Sequence, residues 1–220
     1  LFTVLMGIKN SRKRKGERNA QFLLLGSASR DLLQQSSESL AGRIRYQELS
    51  AFTALELQKA EKATIEMEKH WLRCSFPNSY LATDDLESGQ WRRDFISTYM
   101  ERDLTMMGVG VAPTQLKRFW KILAHYLANQ LNLNELARSL EVSQPTVKNH
   151  LDILTNFYIV RQLPPWSGNI KKRLTKLPKI YIRDSGILHS LLNITSMDML
   201  LACTGCKLGG LCGRKYSGNS

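Results

Sequence analysis

Four polar residues whose side chains can read DNA bases fall within one short segment of the sequence. Side-chain amides can pair with adenine edges, and a lysine can reach guanine or a phosphate oxygen. In the same segment Val147, Leu151 and Leu154 recur at helical spacing, which predicts an inward stripe. The outward positions, which are the candidate DNA-binding residues of this segment, are Gln144, Thr146, Lys148 and Asn149.

The elements around this segment predict the scaffold that would present it. Asn134 can cap a short helix over 135–140, and Ser143 can cap the next helix, which has Pro145 in its first turn. The tight turn 141–143 joins the two helices, and the small Ala137 lies where they would cross. Two short helices around such a turn predict a helix-turn-helix.

A predicted hairpin follows this helix pair. Residues 159–163 and 179–182 are typical of strands, and 164–169 (PPWSGN) are typical of a turn. A helix-turn-helix followed by a basic hairpin predicts a winged helix. Its wing would meet the DNA backbone through Lys171, Lys172 and Arg173. Because winged helices also dock proteins, double-stranded DNA and a protein partner or homo-oligomer both stay open as partners.

The charge balance fits an acidic partner. The 220 residues include 31 Lys or Arg and 19 Asp or Glu, which gives a net charge of +12 and a pI near 9.7. This indicates nucleic acid or phosphate, with a solvated basic surface as the alternative. Hydrophobic residues make up 43% of the chain, which is enough for a core. No apolar run reaches the roughly 18–20 residues of a membrane span, so no membrane partner is predicted.

The residues that most often carry catalysis or bind metals are scattered. Cys203 and Cys206 have the spacing of half a zinc site, but only Cys212 follows and no histidine lies beyond it, so no metal site is predicted. No catalytic residue is predicted, and the cysteine usage fits a reduced, cytoplasmic protein. The histidines are far apart, and each is more typical of a core or surface residue than of a ligand: His70, His125, His150 and His189.

The first part of the chain alternates helix and strand signals. Residues 2–8 have helical spacing, 22–25 (FLLL) predict a buried strand, 29–36 a helix and 44–52 a second strand. From 52 to 130 the pattern is mostly helical, so the predicted fold class is mixed α/β and mostly helical. Two aromatic-rich stripes are predicted to lie in the core: Trp91, Phe95, Thr98 and Tyr99, and Leu116, Phe119, Trp120 and Leu123.

Several segments, taken in order, resemble one known family. They are Phe22–Ser29 (FLLLGSAS), Ser39–Arg43 (SLAGR), Trp71–Pro77 (WLRCSFP), Thr98–Leu104 (TYMERDL) and Lys179–Asp184 (KIYIRD). Together they resemble prokaryotic AAA+-type P-loop ATPases that carry a C-terminal domain of unknown function, which combines a winged helix with a restriction-endonuclease-like part. The resemblance covers about residues 1–200. It implies that the chain begins with a remnant of a P-loop ATPase α/β sheet, of about two strands, followed by a helical region and a winged helix-turn-helix.

The resemblance also implies a division of the chain. Residues 1–57 would be the C-terminal half of the ATPase core, and 58–126 a helical lid or linker region. Residues 127–200 would hold the winged helix and the start of the nuclease-like part, and 201–220 would be an aberrant or disordered tail. The sequence departs from the family pattern at Cys74 and Ser75, where the family usually has glycines.

Two residues take nucleotide-sensing roles from the same resemblance. Ser27 would end the sensor-1 strand and face the γ-phosphate, with an ordinary helix cap as the alternative. Arg43 would stabilise charge near a phosphate, with a structural ion pair as the alternative. ATP and Mg are the cofactors of the family. The implied function is a fragment of an AAA+-like ATP-binding protein with a DNA-binding winged helix; the alternative is a winged-helix regulator or docking module without nucleotide chemistry.

The purified chain is expected neither to bind ATP tightly nor to hydrolyse it. No G-x-x-x-x-G-K-[ST] segment occurs in the 220 residues, so they do not encode the loop that holds the β- and γ-phosphates. Phosphate release from Mg-ATP measures this. Magnesium-dependent turnover that disappears in Ser27→Ala would contradict the prediction.

Overall fold

The structure is a computed structural model that describes residues 2–17, 22–23, 45, 47–61, 66–104, 110–166 and 177–202. The chain divides into two compact units, Leu1–Glu48 and Leu49–Ser220. The domain boundaries expected from the family resemblance stay predictions.

The first unit begins with helix α1, Phe2–Arg14, as the helical spacing of its apolar residues predicts. Its last turn is basic, which is favourable at the negative end of the helix dipole. Beyond the helix the chain turns at Gly16, whose φ is 87°. Arg12 lies 3.7 Å from the Glu17 carboxylate, and its guanidinium lies 5.9 Å from the centre of the Phe22 ring. These contacts hold the described chain after the helix close to its last turn.

The strands predicted before residue 53 are wrong where the structure describes them. Leu23 lies in irregular chain and is 83% exposed, whereas the run 22–25 predicts a buried strand. In the second predicted strand, Arg45 and residues 47–52 are irregular as well. A strand needs a neighbour to pair with its backbone, and no described residue of the first unit forms one. The rest of both runs and the predicted helix 29–36 lie outside the described residues.

The second unit is mostly helical. Its described helices, in chain order, are α2 Ala54–Glu61, α3 Met67–Arg73, α4 Pro77–Tyr80, α5 Asp85–Thr98, α6 Pro113–His125, α7 Leu133–Leu140, α8 Gln144–Asn156, α9 Ser185–Leu191 and α10 Met197–Ala202. Helix α5 continues directly into a π-helical turn, Tyr99–Asp103. None of the described helices is long and apolar enough to cross a membrane.

Two short strands, β1 Val160–Leu163 and β2 Lys179–Ile182, lie between α8 and α9. They pair antiparallel, with Val160 opposite Ile182 and Leu163 opposite Lys179. A further antiparallel bridge joins Gln130, before α7, to Lys179. The hairpin predicted from the sequence is therefore present, and the described residues are mixed α/β and mostly helical. Beyond Leu163 the predicted turn is described only as far as Trp166.

Side-chain caps decide where several of these helices begin. Thr53 and Glu56 cap α2 reciprocally, because the Thr53 N–H donates to the Glu56 carboxylate at 2.8 Å and the Glu56 N–H donates to the Thr53 hydroxyl at 3.3 Å. The cap of α7 corrects the sequence prediction, since it is Asn132 and not Asn134. The Asn132 side chain accepts from the N–H groups of Asn134 and Glu135 at 3.1 and 3.2 Å, so the helix begins two residues earlier than expected.

The core of the second unit runs from Leu72 to Leu200 and includes residues from α5, α6, α8, β2 and α9. The stripe predicted on α6 is confirmed, because its four members are at most 1% exposed. The other predicted stripe is confirmed only in part: Phe95 and Tyr99 are half-buried and pack against the core, Trp91 is half-buried, and Thr98 is exposed. The buried face of α5 contains Ser88, Arg92 and Ile96, and Met100 continues it into the π-helical turn.

The aromatic residues of α5 and of the π-helical turn form a stack along the edge of the core. Trp91 lies 5.3 Å from Phe95, and Phe95 lies 5.4 Å from Tyr99, measured between ring centres. Phe76 packs at 5.1 Å from Phe95. The sequence pattern predicts that these rings, and not a polar arginine, lie in the interior. Arg92 takes the inner position because the acceptors for its guanidinium lie inside the unit.

Candidate functional site

A three-residue turn sets α8 across α7. Glu141 adopts a left-handed conformation, with φ of 58°, and ends α7. The Val142 N–H then donates to the Ala137 carbonyl at 3.1 Å. Ala137 is buried, as a residue at a helix crossing would be, and its place at the crossing stays a prediction. The Ser143 hydroxyl accepts from the Thr146 N–H at 3.3 Å and caps α8, which confirms that prediction.

Helix α8 is fixed by one buried face and presents another to solvent. Val147, Leu151 and Leu154 are at most 1% exposed, as predicted. Lys148 and Asn149 are exposed on the opposite side. Gln144 is exposed too, and its amide hydrogen-bonds to the Asn134 side chain on α7. The chemistry available on this face is therefore amide pairing and one ammonium group.

Thr146 behaves differently from the other three candidates. It is half-buried, and its hydroxyl lies 2.8 Å from the Ser143 hydroxyl. Its polar group is thereby engaged in the cap of α8 rather than aimed at a partner. The remaining candidates from the sequence lie outside the described residues: Ser27, Arg43, Lys171, Lys172 and Arg173.

The described charges near α8 are of both signs. Glu141, just before α8, and Asp152, within it, are exposed, and Arg161 and Lys179 are exposed on the hairpin. The two hairpin cations were not among the site residues predicted from the sequence. The signal that could have found them is period-two alternation, since Arg161 follows the buried Val160.

A second polar feature joins the end of α3 to the start of α9. The Cys74 thiol donates to the Asp184 carboxylate, which also caps α9 by accepting from the Ile187 N–H at 2.8 Å. Burial raises the pKa of Asp184 to about 7, against the opposing effect of the N–H groups of Ile187, Gly186 and Ser75. The contact is close, because a Cβ on Gly186 would lie 2.6 Å from the Arg73 carbonyl oxygen.

Arg92 lies beneath this junction and is 1% exposed. Its guanidinium donates to the carbonyls of Leu72 at 2.5 Å and Gly186 at 3.4 Å, and its Nε donates to Ser88 at 3.2 Å. Burial lowers the pKa of Arg92 to about 10, and the charge of Asp85 opposes that change. One buried cation therefore joins α3, α5 and α9.

Three of the four histidines are buried, and each has different neighbours. His189 Nδ1 lies 3.2 Å from the Leu72 carbonyl, and burial lowers its pKa to about 4. His70 Nε2 lies 3.2 Å from the Ser75 hydroxyl, and His150 packs against the Phe119 ring. Burial lowers the pKa of both. Within the described ranges no three His, Cys, Asp or Glu residues come together as a metal site could require. Cys203, Cys206 and Cys212 lie outside those ranges.

The helix pair and the buried junction lie within one family match. The model of a domain of unknown function, DUF8612, matches residues 64–198. The chain belongs to this DUF8612 family. Similar proteins include the uncharacterized proteins Mb2031c of Mycobacterium bovis and Rv2008c of Mycobacterium tuberculosis, each 46% identical over 175 residues. The match covers 80% of this chain and 38% of each relative, so the chain spans less than half of their length. No solved structure matches.

Replacing Cys74 by glycine is expected to stabilise this DUF8612 chain. Cys74 has φ of 80° and ψ of −165°, a conformation that is nearly restricted to glycine and costs other residues about 1–3 kcal/mol. The greater unfolded-state freedom of glycine offsets up to about 1 kcal/mol of that gain. Cys74→Gly should therefore raise the midpoint of thermal unfolding. Cys74→Ala, which keeps the strained backbone and loses the thiol, is the matched control and should not melt higher than the native chain. A glycine variant that melts below the alanine variant would contradict this.

Asp184 and His189 are expected to have opposite effects on stability between pH 4 and 6.5. The folded-state pKa of Asp184 is raised to about 7, so its contribution is lost as the pH rises towards 7. The folded-state pKa of His189 is lowered to about 4, so its contribution is lost as the pH falls below 6.5. The neutral Asp184→Asn removes the first effect. Its free energy of unfolding should fall more steeply on acidification than that of the native chain, by about 1.4 kcal/mol per pH unit.

Urea denaturation followed by circular dichroism at a series of pH values tests this. The exposed Asp152→Asn is the control and should keep the native profile. Parallel stability curves for the native chain and Asp184→Asn would show that Asp184 does not hold a proton in the folded state.

Proposed function

We propose that residues 113–182 form a winged helix that binds double-stranded DNA. The order of elements supports this: α6, the Gln130 bridge, α7, the short turn, α8, and then β1 and β2. A winged helix places its last helix in the major groove and its hairpin along the backbone. Helix α6 packs against α7 and β2, and α7 packs against α8, so α6 supports both the helix pair and the hairpin.

The observation that carries the proposal is the exposed face of α8. Its opposite face is fully buried, so the helix cannot turn and the amide of Asn149 and the ammonium of Lys148 stay in solvent. Asparagine can pair with both adenine N6 and N7, and lysine can reach guanine or a phosphate. A rigid helix with these groups on its outer side fits the width of the major groove.

Helix α8 and the hairpin have different roles in the proposed binding because the charges near them differ. The exposed carboxylates of Glu141 and Asp152 oppose phosphate binding close to α8. The hairpin segment 161–183, in contrast, contains seven Lys or Arg residues and no Asp or Glu. Affinity therefore comes mainly from the hairpin through phosphate contacts, and base discrimination comes from α8.

For a longer protein of which this chain would be a part, we propose an AAA+-like ATP-binding function. ATP and Mg would be its cofactors, and Ser27 and Arg43 would lie near the phosphates. The ordered family motifs support it, and the relatives are long enough to hold a P-loop, since the match covers 38% of each. A Gly-Lys-Ser or Gly-Lys-Thr loop outside the matched part of those relatives is the expected observation. Its absence would favour a winged-helix regulator or a docking module without nucleotide chemistry.

Substitutions on the two elements are expected to affect DNA binding differently. Replacing Lys171, Lys172 and Arg173 together by alanine should weaken binding to all duplexes and flatten its salt dependence, by about 0.9 log units for each phosphate that the variant no longer binds. Asn149→Ala should instead reduce discrimination between a duplex selected from a random pool and its single-base variants, by about 1–3 kcal/mol at one position. Fluorescence anisotropy over a series of salt concentrations measures both.

The control is Lys59→Ala, which removes an exposed lysine from α2 and should leave affinity and salt slope unchanged. If the full chain shows no salt-dependent binding to duplex at low ionic strength, DNA binding is excluded and protein docking is favoured. If the variant with alanine at Lys171, Lys172 and Arg173 keeps the native salt slope, these residues do not contact the DNA phosphates.

A further inference from the structure

Two side-chain amides meet where α8 begins. The Nε2 group of Gln144, the first residue of α8, donates to the Oδ1 atom of Asn134 on α7. Both side chains are exposed, and they lie on the two helices that the tight turn joins. The DNA binding proposed above assigns base discrimination to α8 through Lys148 and Asn149, and it leaves this contact unused.

Both residues are anchored in the first turn of a helix. The N–H of Asn134 donates to the side chain of Asn132, which caps α7, at 3.1 Å. Ser143 caps α8 directly before Gln144. Gln144 lies on the same side of α8 as Lys148, because residues four positions apart lie one above the other on a helix. It is also at the N-terminal end of α8, which is the end of a recognition helix that contacts base edges.

The contact restricts a side chain that would otherwise move freely. A glutamine side chain turns about several bonds, and ordering it on binding costs conformational entropy. Because Asn134 holds the Nε2 end, the amide of Gln144 is ordered before a partner binds. The contact also sets the direction of this amide. One N–H is used by Asn134, and the carbonyl oxygen and the second N–H remain for a partner.

The remaining acceptor and donor of Gln144 match one base edge in the major groove. Adenine presents the N7 acceptor beside the N6 donor. Guanine presents two acceptors, N7 and O6, so one of them would face the carbonyl oxygen of Gln144. Thymine offers an acceptor without a donor, and cytosine offers a donor without an acceptor. Adenine is therefore the base that satisfies both groups of an amide held in this direction.

We propose that Gln144 reads an adenine in the major groove and that Asn134 is the residue that positions it. The proposal rests on the winged-helix function proposed above and names one base of its target. Asn134 acts through Gln144 and not through a DNA contact of its own. Its effect therefore falls on the choice of base, whereas a residue that binds a phosphate affects all duplexes alike.

The test measures base preference at one position of a duplex with the full chain. The duplex is selected from a random pool, and its single-base variants are compared with it by fluorescence anisotropy. At the position that Gln144 reads, the native chain should prefer adenine by about 5- to 150-fold. Gln144→Ala should lose the preference at this position and keep the discrimination that depends on Asn149.

Two variants at residue 134 separate positioning from a structural role. Asn134→Ala frees the Gln144 amide, so the preference should fall by about 2- to 12-fold, while affinity for duplexes without this adenine stays native. Asn134→Asp keeps the acceptor for Nε2. Its added charge should weaken binding to every duplex alike and leave the adenine preference intact. In a chain that already carries Gln144→Ala, Asn134→Ala should have no further effect on the preference.

The matched control is Asn156→Ala, which removes an exposed amide from the last residue of α8. This variant should retain the native preference at every position. Circular dichroism checks that each variant is folded.

The outcomes distinguish this inference from the function on which it rests. An adenine preference that Gln144→Ala abolishes, Asn134→Ala reduces and Asn134→Asp retains supports the proposal. Duplex binding in which Asn134→Ala leaves the preference unchanged overturns the positioning role and leaves the winged-helix function intact. A preference for another base at this position, or discrimination that Gln144→Ala changes nowhere, overturns the adenine contact and also leaves that function intact. Binding to no duplex overturns both.

Discussion

The second unit depends on one buried cation. Arg92 has no carboxylate within hydrogen-bonding distance among the described residues, and a buried charge without such a partner is costly. Backbone carbonyls take that place, including Leu72 at the end of α3, where the helix dipole is negative. Because the carbonyls belong to three helices, the charge is stabilised only when α3, α5 and α9 are packed together. The hydrogen bonds of Arg92 therefore favour the packing of these three helices against one another.

The Leu72 carbonyl also determines which ring nitrogen of His189 carries the proton. Leu72 accepts from Arg92 and faces His189 Nδ1 at 3.2 Å, so Nδ1 must carry the proton. The other ring nitrogen, Nε2, is then an acceptor and is buried without a partner. Protonating it would add a second cation beside Arg92, which agrees with a pKa of about 4. Helix α9 also packs on α6, so this junction and the helix pair that presents Asn149 share one support.

Local patterns in the sequence predicted the elements whose stability is local. The cap at Ser143, the stripe of α8 and the strand pair follow from residues a few positions apart, and each was found. The buried face of α5 was missed because Arg92 is polar, and its acceptors lie as far away as Gly186, 94 residues along the chain. The contact of Cys74 with Asp184 joins residues 110 positions apart, so no periodicity could reveal it. For α7, two asparagines two residues apart are equivalent as sequence signals, and only the backbone geometry selected Asn132.

The π-helical turn after α5 keeps the long inner face of that helix in phase with the core. An α-helix rotates by about 100° per residue, so residues repeated every four positions drift by about 40° at each step. Arg92, Ile96, Met100 and Leu104 repeat in this way, and yet Leu104 is still 1% exposed. The wider turn at 99–103 rotates less per residue and takes back part of the drift. The wider turn therefore accommodates one extra residue between Arg92 and Leu104. An ordinary helix with one residue fewer would rotate by about three full turns between them and would keep Leu104 on the buried face.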